Sequence, residues 1–230
     1  MPKVSLESCL YWGNRYVSLY HCDCRSYPEL FKQANLFLTD PPYGISHPCS
    51  YKKRGRSNLA QCKDYPDVIG DDKPFDPAFL LQSGLPAILW GGNYYADKLP
   101  PTSGWLVWDK ERPDTLDQAT CELAWSNCIK GVRRFRHLWN GFIRASERGQ
   151  AYHPTQKPVA LMEWCLSLKW VQSLSVVIDP FMGSGSTGVA CVKQQKRFIG
   201  VELSLDYLKI AKQRIQQALL ENRQQGKHHA

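Results

Sequence analysis

The stretch Val176-Val177-Ile178-Asp179-Pro180-Phe181-Met182-Gly183-Ser184-Gly185-Ser186-Thr187-Gly188 constrains this chain more than any other. Its first three residues form a β-branched run, the pattern of a strand covered on both faces. Asp179 and Pro180 end that run. Gly183 and Gly185 let the backbone turn sharply and let a ligand approach with no Cβ in the way. Ser186 or Thr187 is placed to cap the helix that follows, whose first turn offers free N–H groups. A second strand over 197–202 then brings Glu202 to its carboxyl end. An acid about 20 residues beyond such a turn characteristically holds the hydroxyls of a ribose. The unit therefore predicts a nucleoside-bearing ligand at the carboxyl edge of a sheet.

Gly183, Gly185 and Gly188 also fit the spacing of the dinucleotide fingerprint, so a nicotinamide enzyme is one reading. Position argues against it. That fingerprint opens a domain with several strands still to come, whereas here little beyond one helix follows Glu202. The rest of the sheet has to come from upstream, and the cofactor half stands last in the chain.

The 230 residues suffice for one α/β domain with a sizeable core. At 43% hydrophobic residues the chain is globular rather than disordered. A formal charge of +8 and a pI near 9.0 favour a polyanionic partner. No apolar stretch is long enough to span a bilayer, and the N-terminal residues lack the apolar region of a signal peptide. The nine cysteines are odd in number and scattered, which predicts reduced thiols in a cytoplasmic protein. His21, Cys22 and Cys24, and separately His47 and Cys49, lack the spacing of a zinc site, so no metal is expected.

Upstream, strands are expected over 16–23 with Asp23 at its end, over 34–40, 86–92 and 104–110, and at 121–125. Helical stretches are expected at 28–33, 76–82 and 159–170, with Pro158 at a first helical position. Ser204 can cap a terminal helix with the apolar stripe Leu205, Leu208, Ala211, Ile215 and Leu219. This alternation predicts a doubly wound, mostly parallel sheet. The strand at 34–40 runs into Asp40-Pro41-Pro42-Tyr43-Gly44. Two prolines stiffen that loop and present Asp40 and Tyr43 in fixed geometry at the ligand-binding edge. Residues 45–72 read as a long basic loop containing Lys52, Lys53, Arg54 and Arg56. Residues 130–148 carry Arg133, Arg134 and Arg136 among aromatics, a composition that suits a nucleic-acid backbone and unstacked bases. A charged edge strand is the alternative there.

Three motifs, Asp40-Pro41-Pro42-Tyr43-Gly44, His153-Pro154-Thr155-Gln156-Lys157-Pro158, and 179–187 followed by Glu202, together resemble the amino-group DNA methyltransferases that use S-adenosylmethionine. Their order is that of the β group. The tracts Trp90-Gly91-Gly92-Asn93, 105–110 and 122–125 resemble the small, phage-associated members. The resemblance implies a single methyltransferase domain over 1–230, with DNA-contacting insertions at about 45–72 and 128–150. It implies a seven-stranded, Rossmann-like methyltransferase sheet with helices on both faces. DNA is the implied partner, there is no membrane role, and the unit is a monomer or homodimer of the restriction-modification kind.

The resemblance gives Asp40, Pro41, Pro42 and Tyr43 the catalytic role. It assigns Asp179, Phe181, Gly183, Gly185, Ser186 and Thr187 to the cofactor wall and Glu202 to the ribose. Asp23 then lies near the cofactor adenine, although Cys22 stands where relatives often have glycine. His153, Thr155 and Lys157 lie beside the methionine part. Lys52, Lys53, Arg54, Arg56, Arg133, Arg134 and Arg136 contact DNA. An aspartate leading the Pro-Pro-Tyr motif is commoner in adenine-N6 enzymes and serine in cytosine-N4 enzymes, so adenine is expected and cytosine is the alternative. A nicotinamide oxidoreductase, a non-catalytic DNA-binding relative and an RNA or protein methyltransferase are the remaining rivals.

Overall fold

The computed structural model describes residues 5–45, 69–115, 118–140, 143–148, 152 and 156–226. Lys52, Lys53, Arg54, Arg56, His153 and Thr155 lie outside them, as does most of the loop read over 45–72.

Eleven strands are described. They are β1 (Leu10–Gly13), β2 (Val17–His21), β3 (Leu36–Thr39), β4 (Ala87–Trp90), β5 (Gly104–Asp109), β6 (Cys121–Ser126), β7 (Val132–Arg136), β8 (Trp139–Asn140), β9 (Ile143–Arg144), β10 (Val176–Asp179) and β11 (Arg197–Glu202). The helices are α1 (Leu6–Cys9), α2 (Ala78–Leu81), α3 (Val159–Ser167), α4 (Ser186–Lys193) and α5 (Leu205–Gln224). Residues Pro28–Gln33 form a 3-10 helix. None of the described helices is long and apolar enough to cross a membrane.

The main sheet has the order β1-β2-β11-β10-β3-β4-β6-β5-β7. All its strands run one way except β1 and β6, which are antiparallel to their neighbours. The expected mostly parallel, doubly wound class holds, with nine strands rather than seven. The two strands that sequence periodicity did not supply are the edges. β1 is short and half exposed, and β7, Val-Arg-Arg-Phe-Arg, has no apolar alternation, with every residue but Phe135 exposed.

β3 and β4 are buried at every position, as their continuous apolar runs require. Leu36, Leu38, Val177, Ile88 and Trp90 face α3, α4 and α5 through Leu161, Val189, Leu208 and Ile215. Phe37, Ile178, Leu89 and Val201 face the other side, covered by Leu30, Phe31, Phe75 and Leu80. Ser204 caps α5 by accepting from Tyr207 N, as its position predicts. Leu205 does not join the apolar stripe. It is exposed, because the first turn of α5 stands clear of the sheet, and burial begins at Tyr207 and Leu208. Pro158 is the N-cap of α3 and not its first helical residue.

This topology lines one sheet edge with the carboxyl ends of the seven co-directional strands and the amino end of β6. In spatial order the edge presents His21, Glu202, Asp179, Asp40, Gly91, Glu122, Lys110 and Arg136. β10 lies between β11 and β3, where the direction of winding reverses, and such a switch point is where open α/β sheets bind ligands.

Candidate active site

The glycine turn and the Asp40 corner leave adjacent strands and are tied together. Thr39 Oγ1 donates to Asp179 Oδ1 at 2.6 Å, and Thr187 Oγ1 donates to Asp179 Oδ2 at 2.7 Å. Phe181 N also donates to Asp179 Oδ1, at 3.1 Å. Burial raises the Asp179 carboxyl to about 6, against the hydroxyl donors that favour its charge. Asp179 therefore fastens the turn to β3 with both oxygens.

Ser186 and Thr187 do not cap α4. Gly185 is the N-cap, at φ 82°, and the helix starts at Ser186. The hydroxyl of Thr187 goes to Asp179 instead, and that of Ser186 accepts from Arg214. Gly185 is required by packing as well as by its left-handed backbone: a Cβ there would stand 2.8 Å from Ala211 Cβ on α5. Glu202 accepts from Gly183 N at 2.9 Å through Oε2 and from Ser204 N at 2.7 Å through Oε1, which holds its carboxylate at the mouth of the turn. Burial raises its pKa. Phe181 lies edge-on to Phe75, with centroids 5.6 Å apart. Asp23 ends the row beyond β2, where its Oδ1 accepts from Arg25 N at 3.0 Å.

At the other side of the crevice, both Asp40 oxygens are engaged. Tyr43 OH donates to Oδ1, and Lys157 Nζ donates to Oδ2 at 2.5 Å. Lys157 Nζ is also 3.0 Å from Glu122 Oε2, and Lys110 Nζ is 2.5 Å from Glu122 Oε1. Four charges thus form a chain, Lys110–Glu122–Lys157–Asp40, with the Lys157 side chain only 5% exposed. Burial raises Glu122, but the ammoniums of Lys157 and Lys110 outweigh it and hold the carboxyl at about 2. Burial also works against the Lys157 charge, yet its two carboxylates raise its pKa and keep it protonated. Asp40 is pushed up by burial against the pull of Lys157.

The loop after the two prolines is pinned by Asp71, whose Oδ1 accepts from the N–H groups of Tyr43 (3.1 Å), Gly44 (2.9 Å) and Ile45 (3.3 Å). The Tyr43 ring rests against Gly91, where a Cβ would fall inside the ring, and it stacks on Tyr94 at 4.7 Å and 15°. Asp40, Tyr43 and Lys157 thus come together as one cluster beside the turn. The sequence motifs place Lys157 only near a methionine part, and its contacts to Asp40 and Glu122 are an addition. The sequence reading gave Lys110, Glu122, Asp71 and Tyr94 no role at the site. Lys110 and Glu122 stand in tracts that the resemblance had picked out, but nothing in their spacing marks them as partners.

A second buried pair locks the strap before α3 to the glycine turn. Arg214 Nη2 donates to Glu147 Oε1 at 2.8 Å, and Arg214 Nη1 donates to Ser184 O at 2.7 Å. Glu147 also accepts from Gln156 Nε2 at 2.9 Å and from Val159 N at 2.8 Å. Both side chains are about nine-tenths buried (10% and 12% exposed). Glu147→Ala strands the guanidinium and the helix N–H, so it is expected to cost roughly 3–5 kcal/mol. Chemical denaturation checks this, and a loss below about 0.5 kcal/mol, the size of an ordinary surface change, would mean the clamp stabilises nothing.

Of the arginines expected at DNA, Arg133 lies over the Trp170 ring at 5.1 Å, and Arg136 Nε pairs with Asp109 at 3.1 Å. Arg134 is exposed. All three sit on the edge strand β7, with Arg136 at the ligand edge of the sheet. The seven described cysteines are free, and four of them are core residues.

Residues 101–213 match the model of a DNA methylase family, N6_N4_Mtase. Two of the three sequence motifs and Glu202 fall inside that span, and the Asp40 corner precedes it. The type II methyltransferase M2.MboI of Moraxella bovis is 30% identical over 114 residues, 49% of this chain and 41% of the relative. The chain thus spans less than half the length of that curated relative. Among solved structures, an M1.HpyAVI–SAM complex has a TM-score of 0.54 at 20% identity, covering 86% of this chain and 98% of that one. The cytosine-N4-specific PvuII DNA methyltransferase has a TM-score of 0.56 at 14% identity, with 89% of this chain and 88% of that one covered. At those identities the two likenesses show the fold. The family match bears out the resemblance drawn from the three motifs.

Proposed function

We propose that this chain, which carries the DNA methylase family match over 101–213, transfers a methyl group from S-adenosylmethionine to an exocyclic amine of a DNA base, with adenine N6 favoured. The observation that carries the reading is the Thr39–Asp179 hydrogen bond, which fastens the Asp40 corner and the glycine turn into one crevice. The residues suit such a cofactor. Glu202 offers a carboxylate to ribose hydroxyls, Phe181 offers an apolar wall, and the acids Asp179 and Glu202 at the turn favour a sulfonium charge. When bound, S-adenosylmethionine supplies an electrophilic methyl.

The chain's own residues supply the rest. An exocyclic amine is a poor nucleophile, because its lone pair is delocalised into the ring. Asp40 and the Pro41 carbonyl accept hydrogen bonds from its two N–H groups and direct the lone pair outward. Tyr43, freed from Tyr94, offers a ring for the base, which has to leave the duplex to reach this depth. The methylated amine then carries one proton too many, and Asp40 is positioned to take it. No covalent nucleophile is needed, and burial pushes the thiols of Cys22 and Cys24 up to about 12. Catalysis rests on positioning and electrostatics. Arg134 and Arg136 on β7 are assigned to the phosphates, and Lys52, Lys53, Arg54 and Arg56 share that role on the sequence reading alone. Cytosine N4 is the runner-up, because it also presents an amine beside a ring nitrogen.

Glu202→Ala is expected to weaken S-adenosylmethionine binding at least about tenfold, the loss of one charge-assisted hydrogen bond. Calorimetry on both proteins checks it, with NAD as the control ligand. Equal affinity in the variant, or tight NAD binding by the wild type, would overturn the assignment.

A further inference from the structure

We propose that Glu122 is a positioning residue of this site: it holds the Lys157 ammonium from the side opposite Asp40, so that Lys157 can yield an Asp40 oxygen to an incoming amine. The proposal rests on the amino-methyl-transfer reading above. In the structure as it stands, both Asp40 oxygens are engaged, Oδ1 by Tyr43 OH and Oδ2 by Lys157 at 2.5 Å. An amine that approaches the carboxylate competes with both donors, and the buried ammonium is the stronger of the two. Lys157 is nearly sealed from water, so releasing its carboxylate without another acceptor would leave a bare buried cation, a costly state.

Glu122 Oε2, in an ion pair with Lys157 at 3.0 Å and without a hydrogen-bond donor of its own among the described residues, is that other acceptor. It is itself held by Lys110 at 2.5 Å, and the Lys110 ammonium stands 5.1 Å from the centre of the Trp108 ring. Two ammoniums and two carboxylates balance, so Lys157 can shift its hydrogen bonds between Asp40 and Glu122 with no net change in buried charge. β6 makes this possible. It is the antiparallel strand inside the sheet, β1 lying at the margin, so it brings an amino end, and with it Glu122, in among carboxyl ends.

The groups facing Glu122 are Lys110, Arg112, Lys157, Asp40 and Tyr43. Those facing Asp40 add Tyr95 and Asp179. Removing the Glu122 charge leaves Lys157 wholly on Asp40, which then ionises more easily and releases less readily.

The test uses the full chain and the variants Glu122→Gln and Glu122→Asp. Single-turnover methyl transfer from S-adenosylmethionine to DNA from a methylation-deficient host is followed against pH, alongside calorimetric cofactor binding and melting temperature. Glu122→Gln is expected to bind the cofactor within about threefold of wild type and to lose at least about 30-fold in plateau rate. The acid limb of its profile moves to lower pH. Glu122→Asp recovers part of the rate. A merely structural residue would not move that limb. If Glu122→Gln melts, the double variant Lys110→Met/Glu122→Gln, which removes one charge of each sign, carries the same test. An unchanged plateau and limb in either variant would overturn the role of Glu122 while leaving the enzymatic reading intact. A wild type that methylates no DNA would overturn both.

Discussion

Asp40→Asn is expected to lower methyl transfer by about 10³ while S-adenosylmethionine binding changes little, a loss of the size seen when one preorganised catalytic hydrogen-bonding group is removed. The substitution keeps the shape of the side chain and removes its charge. One of its two acceptor oxygens becomes an NH₂ donor, which meets the donor protons of the amine head-on. Lys157 keeps Glu122, so the buried ammonium is not abandoned and the fold is expected to survive. The cofactor side, held by Asp179 and Glu202, makes no hydrogen bond to Asp40 and should bind as before. Single-turnover transfer and calorimetry together check both halves. A variant within about threefold of wild type in rate, less than 1 kcal/mol in barrier, would remove Asp40 from the chemistry.

Gly91→Ala is expected to be nearly as damaging, although Gly91 touches neither substrate. Its φ of 74° is left-handed, which costs an L-residue about 1–2 kcal/mol. Its added Cβ would fall inside the Tyr43 ring. Backbone and ring cannot both stay. Tyr43 must swing, losing its hydrogen bond to Asp40 and its stack on Tyr94. A displaced ring takes the base platform with it, so transfer should fall by about 10², as misplacements near 1 Å do. Thermal melting should fall as well, because Gly91 is buried and the strained φ and the clash both act on the folded state, so transfer is compared at a temperature where both proteins stay folded. Wild-type turnover by the variant would mean the Tyr43 ring does not act where it lies.

Much of this site was legible in the residues because its parts are local. The β-branched run, the glycines and the acid at 202 form one strand–turn–helix–strand unit, and each piece has its own signal. The Asp-Pro-Pro-Tyr corner is stiff by covalent geometry alone. What could not be read is what lies across the sheet. Lys157 is 117 residues from Asp40, and Glu122 meets Lys157 only because β6 is antiparallel, a direction that no periodicity encodes. Asp71 is likewise distant from the backbone it pins. Ser186 and Thr187 looked like caps because hydroxyls favour helix starts, but Gly185 took that place and the hydroxyls found Asp179 and Arg214 instead. The edge strands β1 and β7 carry no alternation: β1 went unread, and at β7 a charged edge strand was only the alternative to a nucleic-acid segment, although the strand is at the sheet edge.

The central claim is that two segments of the chain meet at one switch point so that a sulfonium methyl faces a base amine. Mass spectrometry of nucleosides, digested from methylation-deficient DNA incubated with the protein and isotope-labelled S-adenosylmethionine, tests it most directly. The account predicts labelled N6-methyldeoxyadenosine, absent when Asp40→Asn replaces the wild type. Label on a ring carbon, on RNA or protein alone, or on nothing at all would contradict it.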